Sequence, residues 1–408
     1  MRFSKRLYIS FNIIKEKIFL TLFLLFFLPP SSIWAEKIYI DINQPGIKKL
    51  TIALEGFDRI PVTWETIKNN LEFTEYFKVY GPFPYKEDSF NPSLWKATDV
   101  EIVIRGKTDG NIGIKIFTTT LDKPIFAKDY PLKNDESTGN LISADIFKLL
   151  TGKDSPFFNR FVFLRKFKDS TGIFLSNWNG KNIYDTGIRR EIISRVILRG
   201  NRIFYSSLEK RNWQIEVFEL SSKTNREILK SRALLQLGDV IGDSQIIYLQ
   251  NDGDLSEIKI MDISGKVKTL TSSRWVESSP RLFGSKIIFV SNRAGSPQIY
   301  EMTEGGLGLR RLTFQGRYNT EPSVSPDGSK LALSSLIGNF QIFVIDFTTG
   351  SQIQVTNEGN NEQPSFCPDG NFITIMSDRR GKREIFLVSS DGLVQKPLTN
   401  GYLPYCSR

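Results

Sequence analysis

The feature that most constrains this chain is a repeat of about 42 residues that organises its second half. A polar residue followed by isoleucine recurs in steps of 43, at Gln298-Ile299, Gln341-Ile342 and Glu384-Ile385. A second landmark, an aliphatic residue followed by threonine, recurs in steps of 42, 43 and 43, at Leu270-Thr271, Leu312-Thr313, Val355-Thr356 and Leu398-Thr399. Two separate landmarks that share one period indicate a repeated structural unit.

Followed towards the amino end, the same phase reaches further units near residues 172, 214 and 257, so the repeat has six units. The units contain short stretches in which apolar and polar residues alternate, which is typical of strands; helical repeats would show a 3.6-residue periodicity instead. A period of this length filled with strands fits the four-stranded blades of a propeller. The sequence therefore predicts a mainly β protein with a six-bladed β-propeller over residues 160–408.

The fifth unit shows the expected order of strands inside a blade. Residues 323–325 form a short inner strand, and Pro326-Asp327-Gly328 turns the chain, because proline presets φ and glycine accepts a positive φ. Residues 331–335 and 341–346 follow as the second and third strands. The sixth unit repeats the turn as Pro368-Asp369-Gly370.

The last residues of the chain resemble an inner strand without a blade of its own. Residues 403–407 match residues 321–325, whereas the first unit begins at residue 160 and has no inner strand before it. We expect the tail to supply that strand. This arrangement would close the ring and remove two open sheet edges.

The first 35 residues have the pattern of a secretory signal peptide. Basic residues precede an apolar run of 11 residues at 18–28, and a small residue, Ala35, stands at the expected cleavage site. The run is about half of the roughly 20 residues that a membrane-spanning helix needs. We therefore predict an exported protein whose mature chain begins at Glu36 and has no transmembrane segment.

Residues 36–152 do not share the repeat and are predicted to form a small α/β domain. Strands are expected at 37–42, 49–53, 100–105, 112–118 and 125–130, and helices at 63–76 and 141–150, the second ending at Gly152.

Composition excludes several classes of function. The chain has no histidine, which removes Ser-His-Asp and Cys-His nucleophile arrangements and His-containing zinc sites. We predict no catalytic residues, no metal site and no cofactor. The net charge of +10 could serve an acidic partner or an anionic envelope surface, but we interpret it first as a solvated basic surface, because salt screens scattered exposed charges. Nucleic acid is not an expected partner of an exported protein. Cys367 and Cys406 are expected to be buried small side chains, with a disulfide as the second possibility.

Beyond the repeat, a specific order of segments resembles the TolB family. It consists of the signal peptide, the leading strand 36–41, the stretch 71–77, Trp95 followed by residues 97–99, and residues 150–152 entering the propeller. The resemblance implies a non-enzymatic periplasmic adaptor of the Tol-Pal envelope system that supports outer-membrane integrity and cell division. In that family the mature N-terminus binds TolA, an inner-membrane protein, and the propeller mouth binds Pal, a peptidoglycan-associated lipoprotein.

The resemblance assigns two candidate binding sites in this sequence. For a TolA-like protein, the site is the leading strand Glu36, Lys37, Ile38, Tyr39, Ile40 and Asp41. For a Pal-like protein, the site is the set of loops that precede the inner strands, with Glu277, Asn319, Thr320, Glu321, Asn361, Glu362 and Gln363. The alternative for the loop residues is that they only begin strands.

Two other classes of function were compared with this interpretation. An exported propeller hydrolase of the prolyl oligopeptidase type needs a Gly-x-Ser-x-Gly elbow, a histidine and a further domain, and the sequence shows none of them. A propeller enzyme that uses carboxylates or tyrosines in its channel stays possible. A peptide- or glycan-binding propeller unrelated to Tol is disfavoured by the front domain.

Overall fold

The structure is a computed structural model and describes residues 49–57, 59–85, 89–242, 244–262 and 264–407. The predicted signal peptide and the leading strand 36–41 lie outside the described residues. Among the helices that are described, none is long and apolar enough to cross a membrane.

The front domain is a five-stranded sheet with two helices. The strands are β1 Leu50–Glu55, β2 Phe77–Phe83, β3 Ile102–Asp109, β4 Asn111–Thr118 and β5 Phe126–Pro131. Their order in the sheet is β2-β1-β3-β4-β5, and β1 runs parallel to both of its neighbours. Strand β1 is buried at all six positions, as expected for a central parallel strand.

The two helices are α1 Pro61–Phe73 and α2 Glu136–Thr151, and a 3₁₀ turn covers Pro92–Leu94. Helix α1 begins with proline, whose missing N–H costs nothing in the first turn. Helix α2 is capped at its N-terminus by Asp135, whose side chain accepts a hydrogen bond from the backbone N–H of Thr138 at 2.8 Å. It ends at Gly152, which has a φ of 72°.

The rest of the chain forms six four-stranded sheets that follow one another around a central channel. We number them as blades 1 to 6 and give their strands from the channel outwards. Blade 1 consists of β29 Tyr402–Ser407, β6 Arg160–Lys166, β7 Thr171–Asn177 and β8 Tyr184–Arg190. Blade 2 consists of β9 Ile192–Arg199, β10 Arg202–Glu209, β11 Asn212–Glu219 and β12 Thr224–Ser231. Blade 3 consists of β13 Leu234–Ile241, β14 Gln245–Asp252, β15 Leu255–Asp262 and β16 Val267–Thr269.

Blades 4 to 6 repeat this arrangement. Blade 4 consists of β17 Glu277–Phe283, β18 Lys286–Ser291, β19 Gln298–Thr303 and β20 Arg310–Arg311. Blade 5 consists of β21 Asn319–Val324, β22 Lys330–Ile337, β23 Asn339–Asp346 and β24 Gln352–Gln354. Blade 6 consists of β25 Asn361–Phe366, β26 Phe372–Ser377, β27 Glu384–Ser389 and β28 Gln395–Asn400. The mainly β architecture predicted from the repeat, with a small α/β region in front, is confirmed.

The hydrophobic core lies between adjacent blades. Strands in the middle of a blade are buried on both faces, and β26 is buried at all six of its positions. One apolar cluster joins Val162 of blade 1 to Val196 of blade 2, and another joins Ile342 of blade 5 to Ile375 of blade 6. Each blade therefore depends on its neighbours to cover its apolar surface.

The C-terminal strand completes the first blade. Strand β29 pairs antiparallel with β6, with Tyr402 opposite Leu164 and Ser407 opposite Arg160. The ring is thus closed by main-chain hydrogen bonds between the two ends of the propeller sequence.

A disulfide joins Cys367 to Cys406, so the expectation of two separate buried side chains was wrong. The two Cα atoms are 4.9 Å apart, and both residues are buried. Cys367 directly follows inner strand β25 and Cys406 lies on inner strand β29. Adjacent blades place these strands side by side, which a sequence separation of 39 residues could not reveal. The bond attaches the closing strand to blade 6.

Contacts between the front domain and the propeller are direct, and the described residues of both domains belong to one compact unit. The Nζ of Lys153 lies 3.0 Å from Oδ2 of Asp391 in blade 6. The ring of Trp178 in blade 1 packs edge-on against Phe73 at 4.8 Å and beside Phe157 at 5.0 Å between ring centroids. Polar and aromatic contacts therefore fix the two domains against each other.

We predict that replacing both Cys367 and Cys406 with alanine lowers the free energy of unfolding by about 4 kcal/mol, because a cross-link of this loop length restricts the unfolded chain. Urea unfolding under oxidising conditions measures the change. Deleting residues 402–408 removes the strand as well as the bond and should cost more. An unchanged urea midpoint in the double variant would contradict the stabilising role of the bond.

Candidate functional site at the propeller mouth

One face of the propeller is built by a repeated backbone contact. In each of blades 4, 5 and 6, a backbone carbonyl of the loop before the inner strand accepts a hydrogen bond from a backbone N–H at or just after the end of the second strand. The pairs are Val276 with Asn292, Tyr318 with Leu336, and Asn360 with Asp378, at 3.2, 3.0 and 3.1 Å between N and O. We call this face, formed by these loops and turns, the mouth.

Three of the predicted mouth residues are buried. Glu277, Asn319 and Asn361 are 0%, 1% and 0% exposed. They occupy the same position at the start of β17, β21 and β25, pointing into the protein. Because they are buried, these side chains stabilise the fold and do not form part of the exposed surface of the mouth.

The buried asparagines belong to a network that recurs from blade to blade. The Nδ2 of Asn319 donates to Oε1 of Gln298 at 2.9 Å, and the Thr313 hydroxyl donates to the same oxygen at 2.7 Å. The network is repeated one unit later with Asn361, Gln341 and Thr356, at 2.9 and 2.8 Å. These residues include the landmarks of the sequence repeat, so the repeat marks the junction between one blade and the next.

At the corresponding place before blade 4, the buried residue carries a charge. Glu277 is paired with Arg293 at 2.6 Å, and its other oxygen accepts a hydrogen bond from the Thr271 hydroxyl at 2.6 Å. Burial raises the pKa of the Glu277 carboxyl above its usual range. The ion pair is what allows a carboxylate to occupy this position.

The remaining predicted mouth residues, Thr320, Glu321, Glu362 and Gln363, are partly exposed. Glu321 accepts hydrogen bonds from the backbone N–H of Gln363 at 2.7 Å and from the Ser334 hydroxyl at 2.9 Å. The side-chain oxygen of Gln363 in turn accepts from the backbone N–H of Leu403 at 2.6 Å. Glu321 and Gln363 therefore link successive inner strands.

Glu362 differs from its neighbours. Its side chain makes no hydrogen bond or ion pair with any residue that the structure describes. Burial, and then the charge of Glu321, raise the pKa of the Glu362 carboxyl. Among the carboxylates predicted for the mouth, that of Glu362 is therefore available to an external partner.

A repeated X-Pro pair explains how Glu321 and Gln363 form hydrogen bonds to the inner strand of the next blade. Four inner strands carry a residue with positive φ directly before proline: Ser279, Glu321, Gln363 and Leu403, with φ of 51°, 53°, 60° and 49°. The strand pairing shifts register at the same places. The left-handed backbone is unfavourable for these residue types, and it turns the N–H groups of Gln363 and Leu403 towards the preceding blade, where they find the acceptors described above.

The sequence interpretation missed an exposed apolar rim on the mouth. Trp275 and Val276, in the loop before blade 4, are 51% and 61% exposed, and Phe314 and Tyr318, before blade 5, are 75% and 38% exposed. Large apolar side chains clustered on one face of a soluble protein mark an interaction surface. The sequence does contain a signal for this rim, because aromatic residues occupy loop positions at which small polar turn residues are expected.

No cluster of three or more cysteine, aspartate or glutamate side chains within the described ranges is arranged to hold a metal ion.

Comparison with known proteins identifies the family. The model of the TolB beta propeller domain matches residues 147–402, well over half of the chain. The chain belongs to the TolB family. The resemblance predicted from the sequence is confirmed.

Relatives of the TolB family match parts of the chain. A TolB homolog from Chlorobaculum tepidum is 28% identical over 155 residues, which cover 38% of this chain and 34% of the relative. The Tol-Pal system protein TolB of Desulfosudis oleivorans is 30% identical over 125 residues, covering 30% and 28%. The matched segments thus span about a third of the length of these curated relatives.

Similarity of structure extends further than similarity of sequence. The crystal structure of TolB from Acinetobacter baumannii superimposes with a TM-score of 0.80 and covers 89% of this chain and 98% of that one, at 21% identity. This agreement shows that the chain has the TolB fold.

We predict that replacing Arg293 with methionine lowers the free energy of unfolding by about 3 kcal/mol, because it leaves the Glu277 carboxylate buried and unpaired. The loss should grow as the pH rises. A carboxyl whose pKa is higher in the folded state than in the unfolded state favours folding while it is protonated. As the pH rises through the folded-state pKa, the carboxyl ionises and the free energy of unfolding falls. Urea unfolding at pH 5 and pH 8 measures both effects.

A matched control is Arg310→Met, which removes an ion pair made by a largely exposed arginine and should cost less than about 1 kcal/mol. If the two variants lost equal free energy of unfolding, or if the effect of Arg293→Met did not depend on pH, the buried ion pair would not stabilise the fold more than an exposed one.

Proposed function

We propose that this protein is a periplasmic adaptor of the Tol-Pal system that binds a Pal-like lipoprotein at the propeller mouth and a TolA-like protein through its leading strand. Membership of the TolB family supports the proposal, as does the name of the Desulfosudis oleivorans relative, a Tol-Pal system protein. The observation that carries it is the exposed apolar rim on the mouth.

The rim has the composition of a protein-binding surface. Trp275, Phe314 and Tyr318 present aromatic rings to solvent, and each ring offers a large apolar area that a partner can cover. Aromatic residues of this kind dominate the binding energy of protein interfaces. The half-buried carboxylate of Glu362 lies on the same face and can pair with a basic group of the partner.

We predict that Trp275→Ala and Phe314→Ala each weaken binding of a Pal-like periplasmic domain at least about tenfold, because each removes an apolar anchor from the interface. Isothermal titration calorimetry with that domain measures the affinity. Both side chains are more than half exposed, so thermal stability should stay nearly unchanged.

The matched control is Leu132→Ala, which removes an exposed leucine of the front domain and should leave the affinity within about twofold of the wild type. Full affinity in both aromatic variants would place the Pal-like site away from the mouth.

The second site is proposed for the leading strand, residues 36–41. Its alternation of Ile38 and Ile40 with polar residues suits a strand that pairs with the exposed sheet edge of another protein. Such pairing derives its affinity from main-chain hydrogen bonds and its specificity from alternate side chains. A segment at the start of the mature chain is well placed for this, because chain ends are held only by the contacts they make.

We predict that removing residues 36–42 from the mature chain abolishes binding of a TolA-like C-terminal domain and leaves binding of the Pal-like domain unchanged. The two binding events are proposed to be coupled, and coupling in binding free energy is reciprocal. Titrating each partner with and without the other measures the coupling. Identical affinities in both titrations would leave an adaptor with two independent sites.

A further inference from the structure

A cluster of polar side chains lies where the innermost strands of all six blades approach the channel. Each of these strands contributes at least one residue, and we call the set the channel cluster. Its members are Tyr405 of blade 1, Arg195 and Arg199 of blade 2, Asp239 of blade 3, Arg281 of blade 4, Glu321 of blade 5 and Gln363 of blade 6.

Tyr405 stands between the arginines. The guanidinium carbon of Arg195 lies 5.6 Å from the centroid of the Tyr405 ring, and that of Arg199 lies 5.9 Å from it. Burial, and then the charge of Asp239, raise the pKa of Tyr405 to about 12, so its hydroxyl stays protonated at neutral pH and can donate a hydrogen bond. That hydroxyl has no hydrogen-bond partner among the described residues.

The two acids of the cluster already have partners. Asp239 is paired with Arg199 at 3.1 Å and accepts hydrogen bonds from the backbone N–H groups of Val240 and Leu282. Glu321 is held by the backbone N–H of Gln363 and by a serine hydroxyl, as described above. Neither carboxylate is within ion-pair distance of Arg195 or Arg281 in the part of the chain that the structure describes.

Arg281 uses its guanidinium only for backbone contacts. Its Nη1 donates to the carbonyl oxygens of Gly238 and Pro280 at 3.1 and 2.9 Å. These contacts hold the side chain across the junction between blades 3 and 4 and provide no negative charge. Burial, followed by the positive charge of Arg195, lowers the pKa of Arg281 to about 9, which still leaves it charged at neutral pH.

Arg195 is the most unusual member. Its side chain is only 8% exposed, and its Nε has no hydrogen-bond partner within the described residues. Burying an unpaired charge is costly, and a second arginine whose charge acts on the first adds repulsion. The charges of Arg195 and Arg281 thus act on each other, and neither guanidinium forms an ion pair with an acidic side chain of the described residues.

We propose that the channel cluster is a binding site for a carboxylate group, which Arg195 and Arg281 receive with their guanidinium donors. A guanidinium presents N–H groups in a planar fork that matches the two oxygens of a carboxylate. Arg199 and Asp239 cancel each other, so Arg195, Arg281 and Glu321 leave one net positive charge. A monoanion therefore balances the site, whereas a dianion such as the HPO₄²⁻ form of phosphate would overcompensate it.

The test is thermal unfolding of the purified protein with increasing sodium acetate, which replaces sodium chloride at constant ionic strength. A ligand that binds only the folded state raises the Tm in a saturable way, by about 2 °C at tenfold excess over its dissociation constant. We expect this response in the wild type and its loss in Arg195→Met and Arg281→Met. The exposed residue Arg232 provides the control Arg232→Met, which should respond like the wild type.

Arg195→Met provides a second readout without acetate. Methionine keeps the length of the side chain and removes its unpaired charge, so the Tm of this variant should equal or exceed that of the wild type. Absence of a saturable acetate response in the wild type, or an undiminished response in both channel variants, would overturn the proposal. A larger response to inorganic phosphate than to acetate would overturn the assignment to a carboxylate.

The carboxylate has two possible sources, a free small acid or an acidic group of a protein bound at the mouth. Repeating the acetate titration with the Pal-like domain bound distinguishes them. Loss of the response assigns the carboxylate to the partner, and persistence assigns it to a free acid; both results retain the site. The acetate titration of the protein alone does not depend on the proposed function, so the two proposals can fail separately.

Discussion

The structure depends above all on the pairing of its last strand with its first blade. Every blade buries both faces of its middle strands against neighbours, so an open ring would expose two apolar sheet faces and two unpaired edges. Strand β29 removes that exposure by hydrogen bonding to β6. The disulfide between Cys367 and Cys406 attaches the same strand to blade 6, so β29 is fastened on both sides. The positions of the mouth loops and of the channel side chains follow from this closure.

In the closed ring, the residues of the mouth fall into a buried group that joins the blades and an exposed group that faces solvent. Buried polar side chains such as Asn319 and Asn361 join one blade to the next through repeated hydrogen bonds. The residues around them, including Trp275 and Phe314, are free to face a partner because the fold does not need them for packing. A binding surface on a closed scaffold loses little conformational freedom on association, which favours affinity.

The front domain is attached to the propeller on the side of blades 1 and 6. Lys153, just after helix α2, donates hydrogen bonds to the hydroxyl of Tyr76 at 3.4 Å and to the carboxylate of Asp391 at 3.0 Å. Among the described residues, the mouth can be linked to the front domain through this junction or through the closing strand. Both routes are made of packed, hydrogen-bonded groups, which are the kind of contact that can carry energetic coupling between sites.

The repeat, the turn residues and the alternation of apolar residues were sufficient to determine the architecture, because blade formation depends on local periodicity that is visible along the chain. The family followed from the order of segments around the repeat. Only the tertiary structure decided three contacts between residues far apart in the chain or on different strands: the bond between Cys367 and Cys406, the burial of Glu277 against Arg293, and the approach of Arg195 and Arg199 to the ring of Tyr405. These contacts join residues of different strands or different blades, and their distances depend on how the strands turn and how the ring closes, which no local pattern records.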